Sequence, residues 1–178
     1  VPQAKDEMFW DDEDLLAVNA VKGHIDLLCG NDQQIAAKLI EWLAHNVQYP
    51  GKKIRWSPLI KGIEGDGKSA LGQLLQSTMG HENVTVVSPN VLMGQFNGWA
   101  EGHCVAVLEE VRIAGHNRHD ALNAVKPIIT NPITPIHRKG LDEYNIVNTT
   151  NIIGCSARTS MAAASVVVSA GGINYALD

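Results

Sequence analysis

A stretch of the chain, residues 62–69, follows the pattern G-x-x-x-x-G-K-[ST]. Glycines let such a turn wrap closely around phosphate, so that backbone N–H groups at the start of the following helix point at the anion. Lys68 would reach the β- and γ-phosphates, and the Ser69 hydroxyl would bind Mg²⁺. A chance match in a chain of this length is on the order of 1%, which favours binding of ATP and Mg²⁺ over an inert glycine-rich turn. The predicted nucleotide-binding residues are Gly62, Glu64, Gly65, Asp66, Gly67, Lys68, Ser69 and Ala70.

Two adjacent carboxylates, Glu109 and Glu110, directly follow the apolar run 104–108. A buried parallel strand over this run would deliver both carboxylates to the edge of a sheet, beside the phosphate-binding loop. We assign Glu109 to the metal ion together with Ser69, and Glu110 to the activation of the attacking water. Lys68 and Glu110 are therefore the predicted catalytic residues. The alternative interpretation is a surface turn that happens to carry two acids.

A short basic cluster, formed by His137, Arg138 and Lys139, lies between two segments that resemble the strands of a hairpin, 133–137 and 144–147. A hairpin tip with two fixed positive charges and a titratable histidine suits contacts with the phosphates of single-stranded nucleic acid. The three residues are predicted to bind DNA. Taken alone, a solvated turn is the simpler interpretation of this cluster.

The composition is that of a globular protein. The 178 residues are 45% hydrophobic and 19% charged, which excludes a disordered chain, a collagen and a disulfide-rich miniprotein. No apolar stretch reaches the roughly 20 residues of a membrane span, so no membrane partner is expected. Three widely separated cysteines favour reduced thiols and a cytoplasmic location. The net charge of −5 comes from the acidic residues 1–14, and the remaining chain is neutral.

The pattern of short elements predicts an α/β fold. Helical periodicity follows Asn31, the predicted N-cap, and recurs over residues 69–79. Apolar runs at 58–60, 84–87, 104–108 and 151–155 are typical of strands, and their alternation with helices indicates a mostly parallel central sheet. We divide the chain into an acidic flexible lead-in (1–14), a helical linker subdomain (15–50), a P-loop ATPase core (51–157) and an atypical low-charge tail (158–178).

In their order along residues 20–153, these motifs resemble the ATPase domain of superfamily 3 helicases, specifically the primase–helicase branch of phages and large DNA viruses. The shared features include 40–44 before Pro50-Gly51, the phosphate-binding loop, Phe96-Asn97-Gly98-Trp99, 107–111, 122–130 and 137–140. The resemblance implies an AAA+-like P-loop ATPase that assembles as a ring, usually a hexamer, around single-stranded DNA. It implies ATP-driven translocation and strand separation in replication, with Lys139 gripping DNA, in the cytoplasm of a host cell if the chain is phage-encoded.

The C-terminal part departs from that family. The strand over 150–155 continues as Ser156-Ala157, where the family places an asparagine that senses the γ-phosphate, and Arg158 is too early to be its arginine finger. Residues 159–177 carry no charged side chain. We therefore expect a C-terminally incomplete domain with impaired hydrolysis, since loss of an arginine finger reduces turnover by roughly 10³- to 10⁵-fold. The competing hypotheses are a nucleotide-binding remnant without motor activity and, less favoured, a P-loop phosphotransferase.

Overall fold

The computed structural model describes residues 6–109, 125–157, 165–170 and 173–174. Its helices are α1 (Asp12–Leu28), α2 (Gln33–Gln48), α3 (Lys68–Met79) and α4 (Pro89–Leu92), and residues 125–130 are also helical. Its strands are β1 (Ser57–Gly62), β2 (Val84–Val87), β3 (Val105–Leu108), β4 (Ile133–Ile136), β5 (Tyr144–Val147), β6 (Asn151–Ala157), β7 (Ser165–Ala170) and β8 (Ile173–Asn174). None of the described helices has the length and apolar character that crossing a bilayer requires.

The two N-terminal helices begin at aspartate caps. The Asp11 carboxylate accepts from the Asp14 N–H and the Asp14 carboxylate accepts in return from the Asp11 N–H, so α1 begins inside the predicted flexible lead-in. The N-cap of α2 is Asp32, whose carboxylate accepts from the backbone of the first turn. The prediction of Asn31 as that cap is wrong. Asn31 has a φ of 61°, and it turns the chain between the two helices.

The central sheet has the strand order β2-β3-β6-β1-β7-β8. The four strands β2, β3, β6 and β1 run parallel, whereas β7 is antiparallel to β1 and β8 is antiparallel to β7. The predicted α/β fold, with a mostly parallel sheet that follows two helices, is confirmed, and its order is that of a P-loop-like fold. Because β7 pairs with β1, the sheet extends beyond the predicted core boundary at residue 157.

Each face of the sheet carries its own apolar core. Along β3, Val105 and Val107 pack with the buried residues of α1, α2 and α3, whereas Ala106 and Leu108 pack on the opposite face. This alternation follows from the two-residue period of a strand. The second face is covered by residues of α4, of the helical segment 125–130 and of the β4–β5 hairpin, which forms as expected from the sequence. The parallel arrangement brings the carboxyl ends of β1, β3 and β6 to one edge.

A buried amide network ties α2 to the sheet. The Asn151 Nδ2 atom donates to Asn46 Oδ1 at 2.8 Å and to the Lys52 carbonyl at 3.0 Å, and Asn151 Oδ1 accepts from the Ile54 N–H at 2.7 Å. Both asparagines are fully buried, and a buried polar group is costly unless its hydrogen bonds are made. The network therefore fixes the position of α2 relative to β6.

Candidate functional site

The glycine-rich loop connects the end of β1 to the start of α3, at the carboxyl edge of the parallel strands. Gly65 and Gly67 have φ values of 84° and 85°, a left-handed conformation that only glycine adopts without strain. Gly67 immediately precedes the first turn of α3, whose backbone N–H groups lack the i−4 carbonyl partners of later turns. The Lys68 N–H donates to Asp66 Oδ1, and the Ala70 N–H donates to the Gly67 carbonyl. The loop thus has the backbone arrangement that binds phosphate at a helix N-terminus.

The Lys68 side chain is buried within the loop and is held by oxygen atoms of the loop itself. Its Nζ atom donates to the Ile63 carbonyl at 2.5 Å and to Asp66 Oδ1 at 2.6 Å. The Asp66 carboxylate also accepts from the Lys68 N–H at 3.3 Å and lies over Gly62, where a Cβ atom would collide with it. The carboxylate therefore sits on the cation that is predicted to bind phosphate.

A cavity of about 320 Å³ lies in front of the loop. Its walls come from the loop and from the ends of β3 and β6: Glu64, Gly65, Asp66, Gly67, Lys68, Ser69, Glu109, Cys155 and Ser156. The predicted metal residues Ser69 and Glu109 therefore face one cavity, although they are distant in sequence. Gly62 and Ala70 do not line it. Glu110 lies outside the described residues.

The side chains of this cavity suit Mg²⁺ only in combination with a ligand. A hydroxyl and a carboxylate are the hard oxygen donors that Mg²⁺ prefers, and in nucleotide sites the phosphates complete its shell. Within the part of the chain that the structure describes, no group of three or more His, Cys, Asp or Glu could hold a metal ion. Ser69 and Glu109 fit a metal that arrives with a nucleotide.

Cys155 closes the back of the cavity as a neutral thiol. Its Sγ atom lies 3.8 Å from the Lys68 carbonyl oxygen. Burial raises the pKa of the Cys155 thiol to about 11, with Lys68 opposing the shift and Glu109 and Asp66 adding to it. A thiol with this pKa stays protonated at neutral pH, so Cys155 packs against the loop as a neutral group.

One contact to the loop comes from α1 and was not predicted. The His24 Nε2 atom lies 3.0 Å from the Gly67 carbonyl oxygen, and a Cβ atom at Gly67 would lie 2.5 Å from His24 Cε1. The two residues are 43 positions apart. No periodicity or motif in the sequence could have indicated this pair, because the contact depends on how α1 packs against α3.

The basic cluster occupies the turn of the β4–β5 hairpin, and its three side chains are exposed. Arg138 Nη2 pairs with Glu101 Oε2 at 2.5 Å, and the Tyr144 hydroxyl donates to the same oxygen at 2.6 Å. That hydrogen bond raises the pKa of the Tyr144 phenol. Lys139 lies at the tip and forms no ion pair with any residue that the structure describes. Arg138 is therefore held by Glu101, whereas Lys139 has no ion-pair partner among the described residues.

Comparison with protein families identifies the chain. The model of a family of unknown function, DUF5906, matches residues 60–164, which is more than half of the chain. The chain belongs to this family. The matched DUF5906 segment contains the whole loop, Glu109 and the basic hairpin, whereas His24 precedes it. No match is found among curated proteins.

Solved structures of the C-terminal region of NrS-1 resemble this DUF5906 chain. The A form apo structure of that region has a TM-score of 0.68 and 28% sequence identity, over 80% of this chain and 34% of that one. A second apo structure of the region gives a TM-score of 0.67 and 28% identity, over 79% and 34% of the two chains. The present chain thus spans about a third of the length of the structures that it matches.

Proposed function

We propose that this DUF5906 chain contains the ATPase core of a DNA helicase that couples ATP hydrolysis to translocation on single-stranded DNA and to strand separation. The observation that carries the proposal is the cavity shared by Lys68, Ser69 and Glu109 at the carboxyl edge of a parallel sheet. The likeness to the NrS-1 C-terminal region supports it at the level of the fold. In the full-length protein, the proposed assembly is a hexameric ring around the DNA, in the cytoplasm.

The proposed chemistry assigns separate tasks to two loop residues, Lys68 and Ser69, and to the two carboxylates that follow β3, Glu109 and Glu110. When the nucleotide binds, the Lys68 ammonium leaves the Asp66 carboxylate and binds oxygens of the β- and γ-phosphates. The N–H groups at the start of α3 bind the same anion. Ser69 and Glu109 would hold Mg²⁺, which neutralises the phosphate charge when it is bound. Glu110 takes the proton of a water whose oxygen bonds to the γ-phosphorus, while the bond from phosphorus to the β–γ bridging oxygen breaks and ADP leaves.

The proposed DNA contact is the hairpin tip. Lys139, which has no ion-pair partner among the described residues, offers its ammonium to the phosphate backbone, and His137 adds an exposed imidazole beside it. Arg138 is already paired with Glu101, so we assign it to shaping the turn. In the same proposal residues 15–50 form a linker and 51–157 form the ATPase core.

A nucleotide-binding remnant is the second candidate, and one observation favours it. At the end of β6, the residues that line the cavity are Cys155 and Ser156, which supply a thiol and a hydroxyl. Neither side chain is the amide with which the resembled helicase family senses the γ-phosphate. Such a chain would bind ATP with little hydrolysis.

The deciding experiment measures ATP binding and ATP hydrolysis by this chain with and without single-stranded DNA, beside the Lys68→Ala variant. The helicase proposal expects turnover that DNA stimulates and that Lys68→Ala abolishes. Binding without stimulated turnover would favour the remnant. Failure of the wild-type chain to bind ATP and Mg²⁺ would refute both candidates.

A further inference from the structure

The segment 96–101, which precedes β3, is bonded to the base of the basic hairpin. Asn97 makes three hydrogen bonds there: its Oδ1 accepts from the His137 N–H at 2.7 Å, its Nδ2 donates to the Pro135 carbonyl at 2.8 Å, and its own N–H donates to the His137 carbonyl at 3.2 Å. The ring of Phe96 lies edge-on to the His137 imidazole, with centroids 5.3 Å apart. Both ends of the Asn97 amide are therefore used within the protein.

The next residues of the segment complete the contact. A Cβ atom at Gly98 would lie 3.0 Å from Arg138 Cγ, so glycine is the residue that lets the arginine pack against this backbone. Glu101 then accepts from both Arg138 and Tyr144, which stand on either side of the turn. The stretch Phe96-Asn97-Gly98, which the proposed chemistry does not use, thus forms a cradle for the hairpin.

This cradle is connected to the walls of the cavity. The Thr150 hydroxyl is 2.7 Å from the Ala100 carbonyl oxygen and 2.9 Å from that of His103, which ties the segment to the residue before β6. The segment then continues into β3, which ends at Leu108 just before Glu109, while Ser156 is the penultimate residue of β6; Glu109 and Ser156 both line the cavity. The hairpin is therefore fixed to the two strands whose far ends form the cavity.

We propose that Asn97 is a positioning residue for DNA binding, which holds the hairpin tip so that Lys139 meets the DNA backbone. The inference rests on the proposed function, in which Lys139 contacts DNA. Asn97 acts through the tip and does not contact DNA itself, because its amide oxygen and its amide nitrogen are both bonded to the hairpin backbone. Removal of the Asn97 side chain would leave the tip mobile. A mobile tip must be ordered when DNA binds, and that entropy cost weakens the contact made by Lys139.

The test is a double-mutant cycle on single-stranded DNA affinity, measured by fluorescence anisotropy with the whole 178-residue chain. Asn97→Ala is expected to weaken binding by about tenfold and to reduce the slope of log K against log salt by about one, which is also the change expected for Lys139→Ala. Because Asn97 acts through the tip that carries Lys139, the loss in the double variant is expected to be smaller than the sum of the two single losses. Additive losses would overturn the inference.

Two further variants separate positioning from direct contact and from general destabilisation. Asn97→Gln keeps the amide but is one methylene too long for both bonds, so it is expected to behave like Asn97→Ala; wild-type affinity in this variant would overturn the inference. Asn83→Ala is the matched control, since Asn83 Nδ2 donates to the Met79 carbonyl at 2.8 Å, away from the hairpin. Asn83→Ala is expected to retain DNA affinity.

Hydrogen exchange gives a readout that does not depend on DNA. The His137 N–H, which donates to Asn97 Oδ1, is expected to exchange faster in Asn97→Ala and to be unchanged in Asn83→Ala. Unchanged exchange in Asn97→Ala would overturn the inference. Wild-type DNA affinity in Lys139→Ala would instead refute the proposed role of the hairpin, so the two failures are distinguishable.

Discussion

Replacing Asp66 with asparagine is expected to tighten nucleotide binding, although Asp66 belongs to the phosphate-binding loop. The carboxylate lies 2.6 Å from Lys68 Nζ, and the two side chains are only 18% and 10% exposed. A triphosphate that binds Lys68 must first displace this carboxylate. Asparagine is nearly the same size and removes only the charge, so the phosphate meets less competition.

The magnitude follows from the strength of the contact that is displaced. A hydrogen bond between charged groups contributes about 1.5–3 kcal/mol, and a neutral one about 1 kcal/mol. The variant therefore recovers about 0.5–2 kcal/mol of binding free energy. Since 1.4 kcal/mol is a factor of ten, we expect the affinity for Mg²⁺ and an ATP analogue that resists hydrolysis to rise about tenfold.

Isothermal titration calorimetry measures this change directly, with Glu64→Gln as the matched control. Glu64 is an exposed acid of the same loop and lines the same cavity, but it forms no ion pair with Lys68 within the described residues. Its neutralisation is expected to change the affinity by less than about twofold. Weaker binding by Asp66→Asn than by wild type would refute the reasoning, because it would show that the carboxylate supports phosphate or metal binding.

Three further predictions concern Glu109, Gly67 and Lys53. Glu109→Gln is expected to keep ATP binding but to raise the Mg²⁺ concentration for half-maximal hydrolysis by about 10- to 100-fold; an unchanged Mg²⁺ dependence would exclude Glu109 from the metal site. Gly67→Ala is expected to lose stability by about 1–2 kcal/mol from its positive φ and more from its collision with His24, so urea unfolding should show partial recovery when His24→Ala is added. Burial lowers the pKa of Lys53 from its ordinary value of 10.5 to about 8. The unfolded chain therefore binds more protons between those pH values, and the unfolding free energy of wild type relative to Lys53→Met should rise from pH 8 to 10; parallel pH profiles would contradict this.

Much of the sheet could be predicted because its signal is local. The run Val84–Val87 is β-branched and bounded by polar residues, and it forms β2 over the predicted range. The convergence of Glu109 on the loop could also be expected, because the ends of parallel strands share an edge. The tail was harder to assign. Its composition set it apart from the core, yet the segment around Val167 pairs with β1.

The contacts that complete the site could not be predicted, since each joins a polar side chain to the backbone of a distant segment. His24 contacts the carbonyl of Gly67, and Asn97 contacts the backbone of His137, 40 residues away. Backbone carbonyl and N–H groups occur throughout the chain, so the residue types of the partner segment do not indicate these contacts. The pairing of Asp66 with Lys68 is local, but in the sequence it could not be distinguished from a loop whose lysine is free.

That pairing places a negative charge against the positive charge of the loop. The start of α3, the N–H groups of the loop and Lys68 concentrate positive charge, which is unfavourable in a buried site unless an anion lies beside it. Asp66 supplies the anion, and His24 holds the Gly67 carbonyl in place. Removing the Asp66 charge should therefore have opposite effects on two quantities: it lowers the melting temperature of the free protein by about 2–4 °C per kcal/mol lost, and it raises nucleotide affinity. A general packing defect would lower both, so the difference in sign identifies the carboxylate as an occupant of the phosphate position.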